Sequence, residues 1–177
     1  IIVNKLYKST QLQTSFGIIF LSIINGAPRV LNLREQLNAF IDHRREVVLR
    51  STIYDLKKAK EKAHILEGLK VAVENIDEIV ALIKGSNGPS DAKEKLISRF
   101  SLSEIQSQAI LDMRLQRLTG LERDKIIKDY ENILNVIAEL ESILAEPEKV
   151  RQIIRDGFIE IREKFGDERK TQIIEDQ

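Results

Sequence analysis

Two histidines, His43 and His64, and a run of cations at Arg44, Arg45 and Arg50, continued by Lys57, Lys58, Lys60 and Lys62, are the side chains in this sequence best suited to proton transfer or anion binding. A histidine acts as general acid or base when a nucleophile or carboxylate stands beside it. Neither His43, next to Arg44, nor His64, before Ile65, has such a partner at catalytic spacing, so both read as structural. Cysteine is absent, which removes thiolate metal sites and disulfides, and two histidines far apart in sequence do not make a zinc cage. No glycine-rich phosphate loop occurs. The arginines could attract a nucleic-acid backbone through its phosphates. The plainer alternative is a solvated helix face paired with Glu46, Asp55 and Glu61.

The elements that would position these residues are long helices. Of 177 residues, 32% are charged and only 5% aromatic, with no Trp, and the apolar set is mostly Ile, Leu, Val and Ala. Net charge is zero, but residues 1–70 carry 12 Lys and Arg against 6 Asp and Glu, and residues 71–177 carry 16 against 22. That asymmetry hints at an anionic neighbour at one end. No run approaches the eighteen or so apolar residues that span a bilayer, and IIVNKLYK lacks a signal peptide's cleavage site, so a soluble intracellular protein is expected. The chain opens on Ile1 and its single methionine is Met113, which reads as a segment of a longer polypeptide.

The spacing predicts a mainly α fold with five parts. Residues 1–33 contain a β-hairpin remnant, a strand from Phe16 to Ile24 and a returning one at Arg29 to Leu31, turned by Asn25-Gly26. Residues 34–84 form an outgoing helix capped by Asn32 with Glu35, unbroken to Gly85, with heptad positions Ala59, Leu66, Val73 and Val80 and a second set at Leu69, Ile76 and Ile83. Residues 85–120 form a knob of two short helices, the first capped by Ser90 and the second by Ser101 with Glu104, the latter ended by Gly120. Residues 121–166 return with the seam Ile126, Tyr130, Ile133, Ile137, Leu140 and Leu144, restart at Pro147, and continue the stripe through Val150, Ile154, Ile161 and Phe165. Residues 167–177 are a tail. Two matched rods joined by a short segment bury their seams by folding back, which gives an antiparallel coiled coil with the knob at its tip.

The second knob helix carries apolar residues on two faces. Leu102, Ile105, Ala109 and Met113 form one stripe at helical spacing, and Leu111, Leu115 and Leu118 another on nearly the opposite side. Two faces need two neighbours. The knob offers little further material, so one stripe is expected to meet another copy of the chain across a two-fold axis. Which stripe does so stays open at this level. Asp112 and Arg114 could form ion pairs across such a contact, or a local surface pair.

The runs LYKSTQLQTSFGI, FIDHRREVVLRSTIYDLKKAKEKAHILEGL, LSEIQSQAILDMRLQRLTGLER and FGDERKTQI, in this order and spacing, resemble the A subunit of bacterial DNA gyrase, a type IIA topoisomerase. The corresponding topoisomerase IV chain has a similar architecture. The resemblance spans nearly the whole chain. It implies the tail of a tower domain, a coiled-coil arm and the knob of the exit gate, or C-gate, where two copies meet. It implies a homodimer that works with the gyrase B subunit on double-stranded DNA in the bacterial cytoplasm and nucleoid, with ATP and Mg2+ acting elsewhere in the complex and no cofactor or membrane contact in this segment. It also implies that the family's DNA-cleaving tyrosine, which stands beside an arginine, lies upstream. Tyr7, Tyr54 and Tyr130 do not follow an arginine, so they read as packing residues and the segment alone as inactive. The reading from another class is a structural coiled-coil tether whose monomeric tip docks a different protein.

Overall fold

The structure, a computed structural model, describes residues 1–113 and 120–174. The chain divides into two compact units, residues 1–46 and Val47 onward. Among the described residues there are seven helices and one two-stranded sheet, the mainly α class with a hairpin that the sequence predicts.

The first unit holds α1 (Ile2–Ser9), β1 (Phe20–Ile24), β2 (Ala27–Leu31) and the start of α2 (Leu33–Glu74). The strands pair antiparallel, Ile24 opposite Ala27 and Phe20 opposite Leu31. Asn25 and Gly26 both take positive φ, 51° and 78°, the backbone of the two-residue turn whose twist matches flanking strands. The pairing fixes both strand ends, so β1 begins at Phe20 rather than Phe16 and β2 at Ala27 rather than Arg29. At the start of α2 the reciprocal cap forms as expected: Asn32 N–H donates to Glu35 Oε2 and Glu35 N–H to Asn32 Oδ1, each at 2.9 Å. Leu21, Ile23, Val30, Leu37 and Phe40 are exposed.

The second unit is a helical arm carrying a small helical head. The arm pairs α2 with α6 (Gly120–Ala145). Lys60 Nζ reaches Glu141 Oε1 at 2.7 Å, and Lys70 Nζ stands 5.4 Å from the centre of the Tyr130 ring. Ten residues forward on α2 correspond to eleven backward on α6, which is antiparallel pairing. Every residue of the predicted α6 seam, Ile126, Tyr130, Ile133, Ile137, Leu140 and Leu144, is buried or half-buried, whereas Leu134 and Val136 face out. On α2 the seam runs Thr52, Leu56, Ala59, Ala63 and Leu66, a 4-3-4-3 spacing that differs from the predicted second heptad set. Pro147 opens α7 (Pro147–Phe165) at its first position and Gly166 ends it. Full burial along α7 ends at Ile154 and is partial at Gly157, Phe158 and Ile159; Ile161 and Phe165 are exposed, contrary to the continuous stripe read from sequence.

The outgoing helix is interrupted well before Gly85. Asn75 leaves helical geometry at φ −119°, and its side-chain amide donates to the Val71 carbonyl at 2.9 Å. Asn competes in this way for backbone groups and so ends helices. The break starts α3 (Ile76–Lys84), whose Ile79 turns fully inward.

Candidate contact face on the head

The head is built from α3, α4 (Pro89–Phe100) and α5 (Glu104–Leu111) against the end of the arm. Gly85 closes α3. Gly88 precedes α4 and Pro89 takes its first position, so the helix starts two residues earlier than a Ser90 cap would place it. Asn87 N–H and Lys95 Nζ both donate to Asp91 Oδ2 at 2.8 Å, which holds that carboxyl below its ordinary range, the lysine being the larger cause. Ser101 is not the cap of the next helix. It ends α4 in the left-handed region, φ 55°, and this reversal turns Leu102 into the core. The capping box sits two residues on: Gln106 N–H donates to Ser103 Oγ at 3.2 Å and Ser103 N–H to Gln106 Oε1 at 2.9 Å. Sequence offered both Ser-x-x-Glu and Ser-x-x-Gln, and the burial of Leu102 selects the second.

The core joins Leu69, Ala72 and Val73 of α2, Ile79 of α3, Leu96 of α4, Leu102, Ile110 of α5 and Ile126 of α6, with Ala109, Leu111 and Met113 packed partly against it. The continuous helix predicted from the Ser101 cap to Gly120 therefore does not form. Leu111 and Met113 lie about 200° apart on any continuous helix, so both reach one core only if the helix stops. It does stop: Asp112 caps α5, Met113 N–H bonds the Ile110 carbonyl at 3.1 Å, and Gly120 opens α6 instead of closing α5. Much of the apolar surplus read from sequence is absorbed in this way.

The predicted contact residues thus separate. Leu102, 6% exposed, packs in the chain's own core. Leu111, Ala109 and Met113 are half-buried. Ile105 is 63% exposed on the outer side of α5. Leu115, Leu118 and Arg114 lie outside the described residues. Around Ile105, an open depression of about 390 Å³ is lined by Lys93, Glu104, Gln108, Ala109 and Asp112. Lys93 Nζ stands 3.6 Å from Glu104 Oε2, and Gln108 donates to Asp112 at 3.1 Å, so an apolar patch is ringed by polar groups.

The cations do not form one set. Arg44 is half-buried, with Nε enclosed and lacking a hydrogen-bond partner among the described residues; Arg45 and Arg50 are exposed. Lys58 pairs with Glu61 at 2.8 Å, which raises the lysine and lowers the glutamate, and Lys60 is taken by Glu141. Tyr54 is exposed with Lys58 5.9 Å from its ring centre, Tyr130 lies in the arm seam, and Tyr7 is partly exposed. Among the described residues, no group of three or more His, Asp or Glu could hold a metal ion.

His64 has neighbours that sequence spacing missed. Ser103 Oγ is 2.7 Å from its Nε2, and Glu67 Oε2 is 3.9 Å from its Nδ1. The glutamate is too far for a hydrogen bond, and Ser103 is already engaged in capping α5, so the row is not a nucleophilic triad. Gln106, which completes this cluster over Gly68, was also missed; the Ser103-x-x-Gln106 pattern was the available signal.

The second unit is thus an arm that carries a compact head with a polar-rimmed apolar face. The chain belongs to the DNA gyrase/topoisomerase IV A-subunit family, whose model matches residues 1–158. It is 54% identical over 173 residues to the DNA gyrase A subunit of Staphylococcus aureus (strain NCTC 8325 / PS 47), covering 98% of this chain and 20% of that protein. It is 52% identical over 174 residues to the DNA gyrase A subunit of Streptococcus pneumoniae serotype 4 (strain ATCC BAA-334 / TIGR4), covering 98% and 21%. The chain thus spans about a fifth of the length of the curated relatives it matches. No helix among the described residues is long and apolar enough to cross a membrane.

Proposed function

We propose that this chain is the exit-gate (C-gate) segment of a gyrase A subunit, in which the head meets the head of a second copy and the arm holds the two subunits together while DNA passes above. In the full enzyme it works with the gyrase B subunit on double-stranded DNA in the cytoplasm and nucleoid, and it releases the transported DNA segment when the heads part. The chemistry of cleavage and ATP hydrolysis belongs to other parts of the complex. Arg44, Arg45 and Arg50 then stand near the passing duplex, each as a phosphate-attracting charge rather than a base reader.

The observation that carries this reading is Ile105: a β-branched side chain left largely in water on the outer face of an otherwise well-packed helix. An isologous contact needs a self-complementary face, and the Ile105–Ala109 ridge flanked by Lys93, Glu104 and Asp112 offers both apolar and paired-charge elements. The same residues of a topoisomerase IV A subunit would serve the same role. A monomeric docking tether is favoured by one observation, that Leu102, Ile110 and Leu111 are taken up by the chain's own core.

Light scattering after size exclusion tests the proposal. The native chain is expected to elute with twice its 20.3 kDa mass. The variant Ile105→Glu with Ala109→Glu is expected to keep its helical circular dichroism and elute at the single mass. A native chain of single mass at high concentration would support the tether instead.

A further inference from the structure

Gly68 lies inside α2, where glycine is a poor helix former. A Cβ placed there would stand 2.6 Å from Gln106 Cβ and 2.7 Å from its Cγ, so α5 rests directly on the α2 backbone and a larger residue would push it away. The bare backbone also exposes the carbonyl of His64, one turn earlier. That oxygen has a second lone pair beyond the one used in the helix, and Gln106 uses it.

The hydrogen bonds around Gln106 fix the orientation of its amide. Its Oε1 accepts the Ser103 N–H at 2.9 Å, which decides which way the amide faces. Nε2 is therefore turned to α2, where it donates to the His64 carbonyl at 2.8 Å and stands 3.2 Å from Glu67 Oε2 and 3.3 Å from His64 Nδ1. An amide NH2 only donates, and its two hydrogens face three acceptors, the His64 carbonyl, Glu67 Oε2 and His64 Nδ1; where Nδ1 takes one of them, it is the lone-pair nitrogen of the ring and the ring proton sits on Nε2. In that tautomer Nε2–H donates to Ser103 Oγ, 2.7 Å away, the same oxygen that caps α5. The circuit from cap to amide to imidazole and back to cap closes over Gly68.

We propose that Gln106, His64 and Gly68 are positioning residues that fix the rotation of α5 on the arm, and with it the direction in which Ile105 and Ala109 point. Apolar packing sets how close two helices lie but is non-directional; hydrogen bonds of fixed polarity set the angle. Residues 106 and 107 face inward, Ile105 faces outward and half-buried Ala109 lies at the edge between them, so a rotation of α5 that breaks the circuit turns the outer ridge by the same amount. That the ridge meets a second copy rests on the exit-gate reading; the circuit does not.

Two measurements on the 177-residue chain test this. In a long-range proton–nitrogen NMR spectrum at neutral pH, His64 is expected as the Nε2–H tautomer, with exposed His43 as internal reference. His64 in the Nδ1–H form, or in the same mixture as His43, overturns the circuit. The variant Gln106→Glu replaces the amide donor by an acceptor of equal size. It is expected to lose the His64 tautomer preference and to raise the dimer dissociation constant about tenfold by sedimentation, with helical content retained; Gly68→Ala is expected to do the same. Unchanged dissociation constants in both folded variants overturn the positioning role. A monomeric native chain would sink the gate reading, while the tautomer still decides the circuit, as it does if Gln106→Glu fails to fold.

Discussion

The arm and the head solve the same packing problem differently. In the arm, α2 offers small buried residues, Thr52, Ala59 and Ala63, and α6 offers a row of larger half-buried ones from Tyr130 to Leu144. Two paired helices can each hide one stripe but cannot seal a large side chain from all sides. In the head, three short helices and the arm's end enclose Ile79, Leu96, Ala72 and Val73 almost completely. Rods hold distance with modest burial; a closed cluster fixes shape. The difference assigns stability to the head and reach to the arm, and it sets what substitutions should do.

The largest contrast is between two leucines. Leu96→Ala in the head, 0% exposed, is expected to cost about 2–5 kcal/mol in urea unfolding, through lost burial and the cavity left behind. Leu140→Ala in the arm, half-buried, is expected to cost nearer about 1 kcal/mol. Equal costs would break the comparison. Next in size is Ser101→Gly, which relieves a left-handed backbone at the turn feeding Leu102 into the core and should stabilise the chain by up to about 1 kcal/mol in the same assay.

The smallest effect is electrostatic and local. Because Lys95 and the Asn87 N–H hold Asp91 below the ordinary carboxylate range, the folded state favours the ionised form. That contribution is present above the ordinary carboxylate range and is lost as pH falls through the lowered value. Amide protection factors at residues 90–95, rates corrected for intrinsic exchange, are expected to fall in acid in the native chain and to lose that acid dependence in Asp91→Asn. Equal acid sensitivity in both would show that the Asp91 cap does not anchor α4.

Local signals in the sequence were good guides where local forces decide. Asn25-Gly26 specified the turn, Asn32 with Glu35 the cap, Pro147 the restart of α7, and the α6 spacing its buried face. Where long-range packing competes, they were not. Asn75 ended α2 although the heptad pattern ran through it, and α5 stopped at Leu111 so that Leu111 and Met113 could share one core. Ser101 and Ser103 carried equivalent capping patterns, and only the burial of Leu102 chose between them. For the candidate face, the stripe that holds Ile105 and Ala109 was legible, but Leu102 in that stripe belongs inside. The partnership of His64 with Ser103, 39 residues away, leaves no mark in spacing.

The central claim, that the Ile105 face meets its own copy, can be measured directly because the chain contains no cysteine. A nitroxide label attached at Ile105→Cys reports distances between copies by pulsed dipolar spectroscopy, alongside a label at exposed Phe165→Cys at the other end of the returning helices. A short, narrow inter-copy distance at position 105, which in Gln106→Glu needs about tenfold higher concentration to appear, is what this account expects. A featureless background decay at position 105 at every concentration up to about 1 mM would contradict it.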